Sequence, residues 1–265
     1  MRLKDWQLVI KVLPFVAATV AAKLATEALG WEGIDINSLF SGLVAATIFL
    51  LAFLLAGTLA DYKESERLPG DLAASLESIA DECEILYADK EAPAARECLA
   101  HVGDLVASVL AWLNHRTAVR DVFDHVDGLN AFFLRFEPLT QPNFIVRIKQ
   151  EQAAIRRMVI RIQTIRETSF IGAGYAIAYT ASASLIVGLL MTDIGSIGES
   201  LFFVAFISFL LTYVLALIRD LDDPFEFNNG RAGAVEVSLA ALHEVERRID
   251  AGLRDLDPET AGVSP

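Results

Sequence analysis

Three stretches of the chain, residues 36–60, 168–192 and 200–218, contain no charged side chain. Each approaches or exceeds the length of about 20 residues that a helix needs to cross the hydrocarbon core of a bilayer. A fourth apolar stretch, residues 6–29, is broken by Lys11 and Lys23, with eleven uncharged residues between them. Lysines near the ends of a span lay their stems along it and keep the ammonium among the headgroups, and Trp6 and Trp31 suit the two interfaces. Lys23 therefore reads first as an interfacial lysine, with a pore-facing or protein-facing position as the alternative, and Glu27, four residues on, shares its helix face.

Between the second and third spans the apolar positions recur at helical spacing. Leu68-Pro69-Gly70 is a strong stop signal, so the second span and its charged extension are expected to break there. Leu72, Leu76, Ile79, Cys83 and Leu86 mark one helix over residues 71–87. Pro93 opens another, with Cys98, Val102, Leu105 and Val109 on one side. Residues 117–136 and 143–167 continue the pattern, separated by Glu137-Pro138 and Gln141-Pro142. No stretch alternates as a strand does. The segment predicts a bundle of about four helices. A last amphipathic helix falls at residues 235–253, followed by a short polar tail.

The spans differ in character. The third places small residues at every fourth position, Gly172, Ala176, Thr180, Ser184 and Gly188, a pattern that lets helices approach closely in lipid. It should pack against another helix, of the same subunit or a neighbour. The fourth carries Phe202, Phe203, Phe206 and Phe209 in one half, which suits either lipid or an aromatic interior.

Charge orients the chain. Residues 30–38 and 193–199 hold no Lys or Arg, although the chain has 22 of them. Basic residues collect on the cytoplasmic side of short loops, which puts these two loops outside and both termini and residues 61–167 inside. The expected organisation is spans one and two at 1–60, a cytoplasmic helical domain at 61–167, spans three and four at 168–219, and an inner acidic turn, helix and tail at 220–265. The hydrophobic fraction of 54% and mean hydropathy of +0.44 fit an integral membrane protein. The first apolar segment reads as a retained anchor, and a multi-pass protein of a bacterial inner membrane is expected. Net charge −13 argues against a nucleic-acid partner, because phosphate neutralisation needs the opposite balance. Cys83 and Cys98 both lie in the inner segment, where a reducing compartment keeps thiols free.

Catalytic chemistry is not indicated. His101, His115, His125 and His243 lack the spacing of a metal site, and no phosphate-binding or dinucleotide loop is present. Cys98 and His101, with Cys83, would make at most part of a zinc site that needs four ligands. The basic residues Arg147, Lys149, Arg156, Arg157, Arg161 and Arg166 precede the third span; the last two are near enough to it for anionic headgroups, and the others suit pairing with carboxylates. The run Asp220, Asp222, Asp223 and Glu226 offers hard oxygen ligands of the kind that take calcium. Without EF-hand spacing, residue physics favours Asp223 as a helix cap, with Pro224 in the first turn.

Two stretches resemble the bestrophins and their bacterial relatives. One is FSGLVAATIFLLAFLLAGTLADYKESERLP at residues 40–69; the other is the fourth span leading into RDLDDPF at 219–225, similar to the acidic residue–Pro–Phe motif that follows the last bestrophin span. The order two spans, long inner helical domain, two spans extends the resemblance over most of the chain. It implies an all-α subunit of a homopentameric ion channel, with membrane lipids, small inorganic ions and other copies of itself as partners. It also implies a hydrophobic neck lined by the second span. Val44, Ile48, Leu51 and Leu55 share a face at helical spacing, and placement by the resemblance adds Ala52 as a ring. Pro224 and Phe225 become a structural turn, and calcium becomes the one candidate ligand, although Leu221 and Pro224 interrupt the acidic run. Whether chloride or cations would pass is not legible. The rival readings are a stator-type proton-channel subunit working with a partner helix and a non-conducting membrane scaffold.

Overall fold

A computed structural model describes residues 6–31, 33–35, 37–167, 172–193, 195–222, 224–225 and 237–256. In chain order the elements are α1 (Gln7–Leu29), β1 (Ile34–Asp35), α2 (Ser38–Lys90), α3 (Pro93–Leu113), α4 (Val119–Phe136), α5 (Pro142–Glu167), α6 (Gly172–Leu190), β2 (Thr192–Asp193), α7 (Ile197–Asp222) and α8 (Ala240–Asp255). Four helical stretches are long and apolar enough to cross a membrane; they contain α1, the first part of α2, α6 and α7. Two compact units result. One takes in Met1–Lys63 and Thr168–Glu236, the other Glu64–Glu167 and Val237–Pro265.

In the first unit, local signals set the helix ends. Gly30 closes α1 in the left-handed region at φ 65°, a conformation that costs glycine nothing. Asn37 starts α2, its Oδ1 accepting from the N–H groups of Leu39 at 3.0 Å and Phe40 at 2.9 Å. Ser196 and Glu199 share the start of α7 as a reciprocal cap, Ser196 Oγ accepting from Glu199 N–H at 3.4 Å and Glu199 Oε2 from Ser196 N–H at 3.5 Å. β1 and β2 form one parallel bridge, pairing Ile34 with Thr192 and Asp35 with Asp193. The apolar core joins Leu51 and Leu54 of α2, Ala178, Leu185 and Leu189 of α6, and Val204, Leu211, Leu215 and Ile218 of α7. Helix α1 lies on α7 through Leu8, Val12 and Val16, and Thr19 donates to Ser208 Oγ at 3.1 Å.

The second unit is a helical bundle. Leu72, Leu76 and Ile79 of α2, Leu99, Val102, Leu105 and Val109 of α3, and Val122, Val126 and Leu129 of α4 are fully buried. So are Ile155, Val159 and Ile162 of α5 and Leu242 of α8. Gln152, buried on α5, gives its Nε2 to the carbonyl of Val126 at 2.6 Å and so fixes the register of α4 against α5. At Gly128 a Cβ would stand 2.8 Å from the His101 ring, so any larger residue there would require that ring to shift. Arg248 of α8 pairs with Glu77 and Asp81 of α2. Arg161 Nε donates to Glu64 Oε1 at 2.8 Å, and this hydrogen bond and charge hold the Glu64 carboxyl below its ordinary value.

The expected break at residues 68–70 does not occur: α2 runs through it without interruption. Pro69 has no N–H to give the Ser65 carbonyl, a loss that normally kinks or ends a helix. Here Leu68 and Pro69 are themselves buried, and Leu72, Leu76 and Ile79 follow in the bundle core. Tertiary burial outweighs the local stop. The last helix begins at Ala240; residues 226–236 lie outside those described.

Candidate functional site

The span portion of α2 has one face in the subunit and the rest outside it. Thr47, Leu51, Leu54 and Thr58 are buried, a three- and four-residue repeat that defines the core-facing stripe. Both threonines satisfy their hydroxyls within the helix, Thr47 on the Leu43 carbonyl at 2.8 Å and Thr58 on that of Leu55 at 3.1 Å. Of the residues expected to line a neck, Ile48 is 39% exposed and Ala52 is exposed, whereas Val44 and Leu55 are half-buried shoulders against the core. Leu51 is 3% exposed and belongs to the core. At 100° per residue the stripe read from the sequence overlaps the core stripe, and Leu51 is the residue they share. Phe49 and Phe53 point out of the subunit on the far side, at 74% and 69% exposed.

Helix α6 divides in the same way. Its buried positions are Ala178, Ser182, Leu185 and Leu189. The small residues Gly172, Ala176, Thr180 and Ser184 are exposed in the single subunit, whereas at Gly188 a Cβ would come 3.3 Å from the Phe40 ring of α2. Phe202, Phe203 and Phe206 of α7 also face outward, the Phe202 and Phe206 rings stacked with centroids 6.1 Å apart.

Lys23 departs most from expectation. It takes the protein-facing alternative: it is fully buried, and its Nζ donates to the Thr192 carbonyl at 2.6 Å and lies 3.5 Å from that of Leu190. Thr26 Oγ1 donates to the same Leu190 carbonyl at 2.9 Å. The Leu190 carbonyl ends α6, where the helix dipole presents its negative pole and a cation is stabilised, and that of Thr192 follows in β2. The Met191 carbonyl between them accepts from Gly33 and Ile34 N–H, both at 3.1 Å. One ammonium thus anchors the turn between α6 and α7, and through it the bridge to β1. The signal was in the sequence: Leu8, Val12, Val16, Thr19 and Lys23 follow one helical face.

After α7, Pro224 and Phe225 are buried, Phe225 completely. Tyr175 faces Asp222 and Arg219. Asp220 is half-buried, and Asp223 and Glu226 lie outside the described residues, as does the cap assigned to Asp223. Among the described residues no three His, Cys, Asp or Glu side chains gather as a metal site would require. His101 Nε2 is 2.8 Å from the His125 carbonyl. Cys83 and Cys98 are buried against each other, which pushes the Cys83 thiol well above its usual value.

Three apolar helices around a shared core, with a fourth packed on α7, define a multi-pass helical membrane protein. Its fold is that of the bacterial bestrophin homologues. A bacterial bestrophin homologue from Klebsiella pneumoniae matches with a TM-score of 0.73, at 14% identity, over 98% of this chain and 100% of that one. A single-residue variant of that homologue gives a TM-score of 0.74 at 16% identity, over 94% of this chain and 98% of the other. No protein-family model and no curated protein sequence matches.

Proposed function

We propose that this chain is the subunit of a homopentameric channel that passes small monovalent ions, chloride or cations, through an apolar neck lined by α2. The observation that carries the reading is the exposed strip of α2 at Ile48 and Ala52, a span surface that the subunit's own core leaves uncovered. Rotational assembly would bring this strip from each copy around one axis. The uncovered small residues of α6 support the same reading, since Gly172, Ala176, Thr180 and Ser184 would let a neighbouring helix approach closely. Ile48 and Ala52 form the narrow rings, with Val44 and Leu55 beside them. A constriction lined by such side chains opposes water and ions by dewetting. The helical unit and both termini lie on the inner side of a bacterial inner membrane, as the distribution of Lys and Arg implies.

Solution mass in detergent and ion flux in liposomes test the reading together. A particle of five chains that conducts is expected. A stable monomer or dimer would overturn the assembly, and a pentamer silent to both chloride and cations would leave a membrane scaffold.

A further inference from the structure

We propose that the turn between α3 and α4 binds the phosphate headgroup of an anionic phospholipid at the inner membrane face, through Arg116 and Arg120. The assignment takes the helical unit to lie on the inner side, as proposed above. Its first support is where the turn is held. Trp112, buried, ends α3, and His115 adopts the left-handed region at φ 58° to reverse the chain. Asn114 Nδ2 closes the helix end on the Leu110 carbonyl at 2.7 Å. Arg166, from the last turn of α5, then ties the turn down. Its Nη1 donates to the Trp112 carbonyl at 3.2 Å, its Nη2 lies 2.7 Å from His115 Nδ1, and its guanidinium covers the Trp112 ring at 5.3 Å.

That end of the bundle is the one from which the chain enters both spans. Arg147 pairs with Glu82 and Arg161 with Glu64, so α5 runs antiparallel to α2. Glu64 comes four residues after Ala60, the last residue of the uncharged stretch of α2, and Arg166 comes six before Gly172, where α6 begins. The turn fastened to Arg166 is thus tethered within a few residues of the span ends.

The second support is charge. In a chain of net charge −13, Arg135, Arg147, Arg156, Arg161, Arg247 and Arg248 are each paired with a carboxylate. The side chains of Arg116 and Arg120 are exposed and make no ion pair or hydrogen bond among the described residues. Of the carboxylates near them, Asp121 accepts from the Ala118 N–H at 3.1 Å, and exposed Asp124 lies four residues after Arg120. Two unengaged guanidinium forks next to a membrane match the oxygens of a phosphodiester.

The test is the melting temperature of the full chain in detergent with added phosphatidylglycerol, phosphatidylcholine or inorganic phosphate. The proteins compared are the wild type, the double variant Arg116→Gln/Arg120→Gln, and Arg247→Gln as a control on an exposed arginine of α8. The wild type and the control should gain several degrees with phosphatidylglycerol beyond the phosphatidylcholine effect, and the double variant should lose at least half of that difference. Equal gains in all three proteins would overturn the site. An equal gain with phosphatidylcholine would overturn the requirement for negative charge, and an equal gain with inorganic phosphate would make the ligand a soluble anion and overturn the lipid. Flux of the wild type in liposomes bears on the channel alone, so the two failures are distinguishable.

Discussion

Lys23 shows how much one buried charge can organise. An ionised side chain inside a span is expensive unless polar groups surround it, and such residues mark interior positions. Here the carbonyls of Leu190, at the end of α6, and of Thr192, in β2, supply the partners, the latter at 2.6 Å. Lys23→Met keeps the stem and much of the volume but leaves that carbonyl without its donor. The change should destabilise the subunit by about 2–3 kcal/mol, the cost of an unmet buried partner of a charged group. Thermal unfolding in detergent measures it. An unchanged melting temperature would show that the ammonium is dispensable to the turn.

At the scale of the element, the helices were legible where apolar periodicity and punctuation agreed, as in α3 behind Pro93 and in α4 and α5 between their proline-bearing turns. They disagreed at Pro69, and the core periodicity on both sides prevailed, giving one helix of 53 residues. The proline forgoes a backbone hydrogen bond within that helix. Since an interior proline costs about 3 kcal/mol relative to alanine, and its buried ring returns part of that in packing, Pro69→Ala should stabilise the bundle by about 1–2 kcal/mol. A fall in melting temperature would instead make the proline a required shape element. The candidate site was less legible than the helices. Periodicity identifies an apolar stripe but not its direction, because in lipid both the core and the outer surface are apolar. This is why Leu51 and Ile48, three residues apart in one stripe, separate into core and exposed face, and why Lys23 was placed at an interface when its spacing from Val16 and Thr19 pointed inward.

For the whole molecule, the surfaces left uncovered matter most. Exposed Ala176, Thr180 and Ser184 on α6 offer a close-packing strip. Ala176→Leu or Ser184→Leu should shift the particle toward smaller species in detergent, read as a mass distribution, while each subunit keeps its helicity. A mass unchanged in both would place this strip against lipid. The most direct test of the neck is liposome flux across an Ile48 series, normalised to the amount of assembled particle. Ile48→Ala and Ile48→Ser should conduct severalfold faster than wild type, the serine variant most, because a hydroxyl ring wets an apolar constriction. Leu51→Ala, which acts on the core, should lower stability without that rise. Equal flux across the Ile48 series, with the wild type conducting, would contradict a neck on this face of α2.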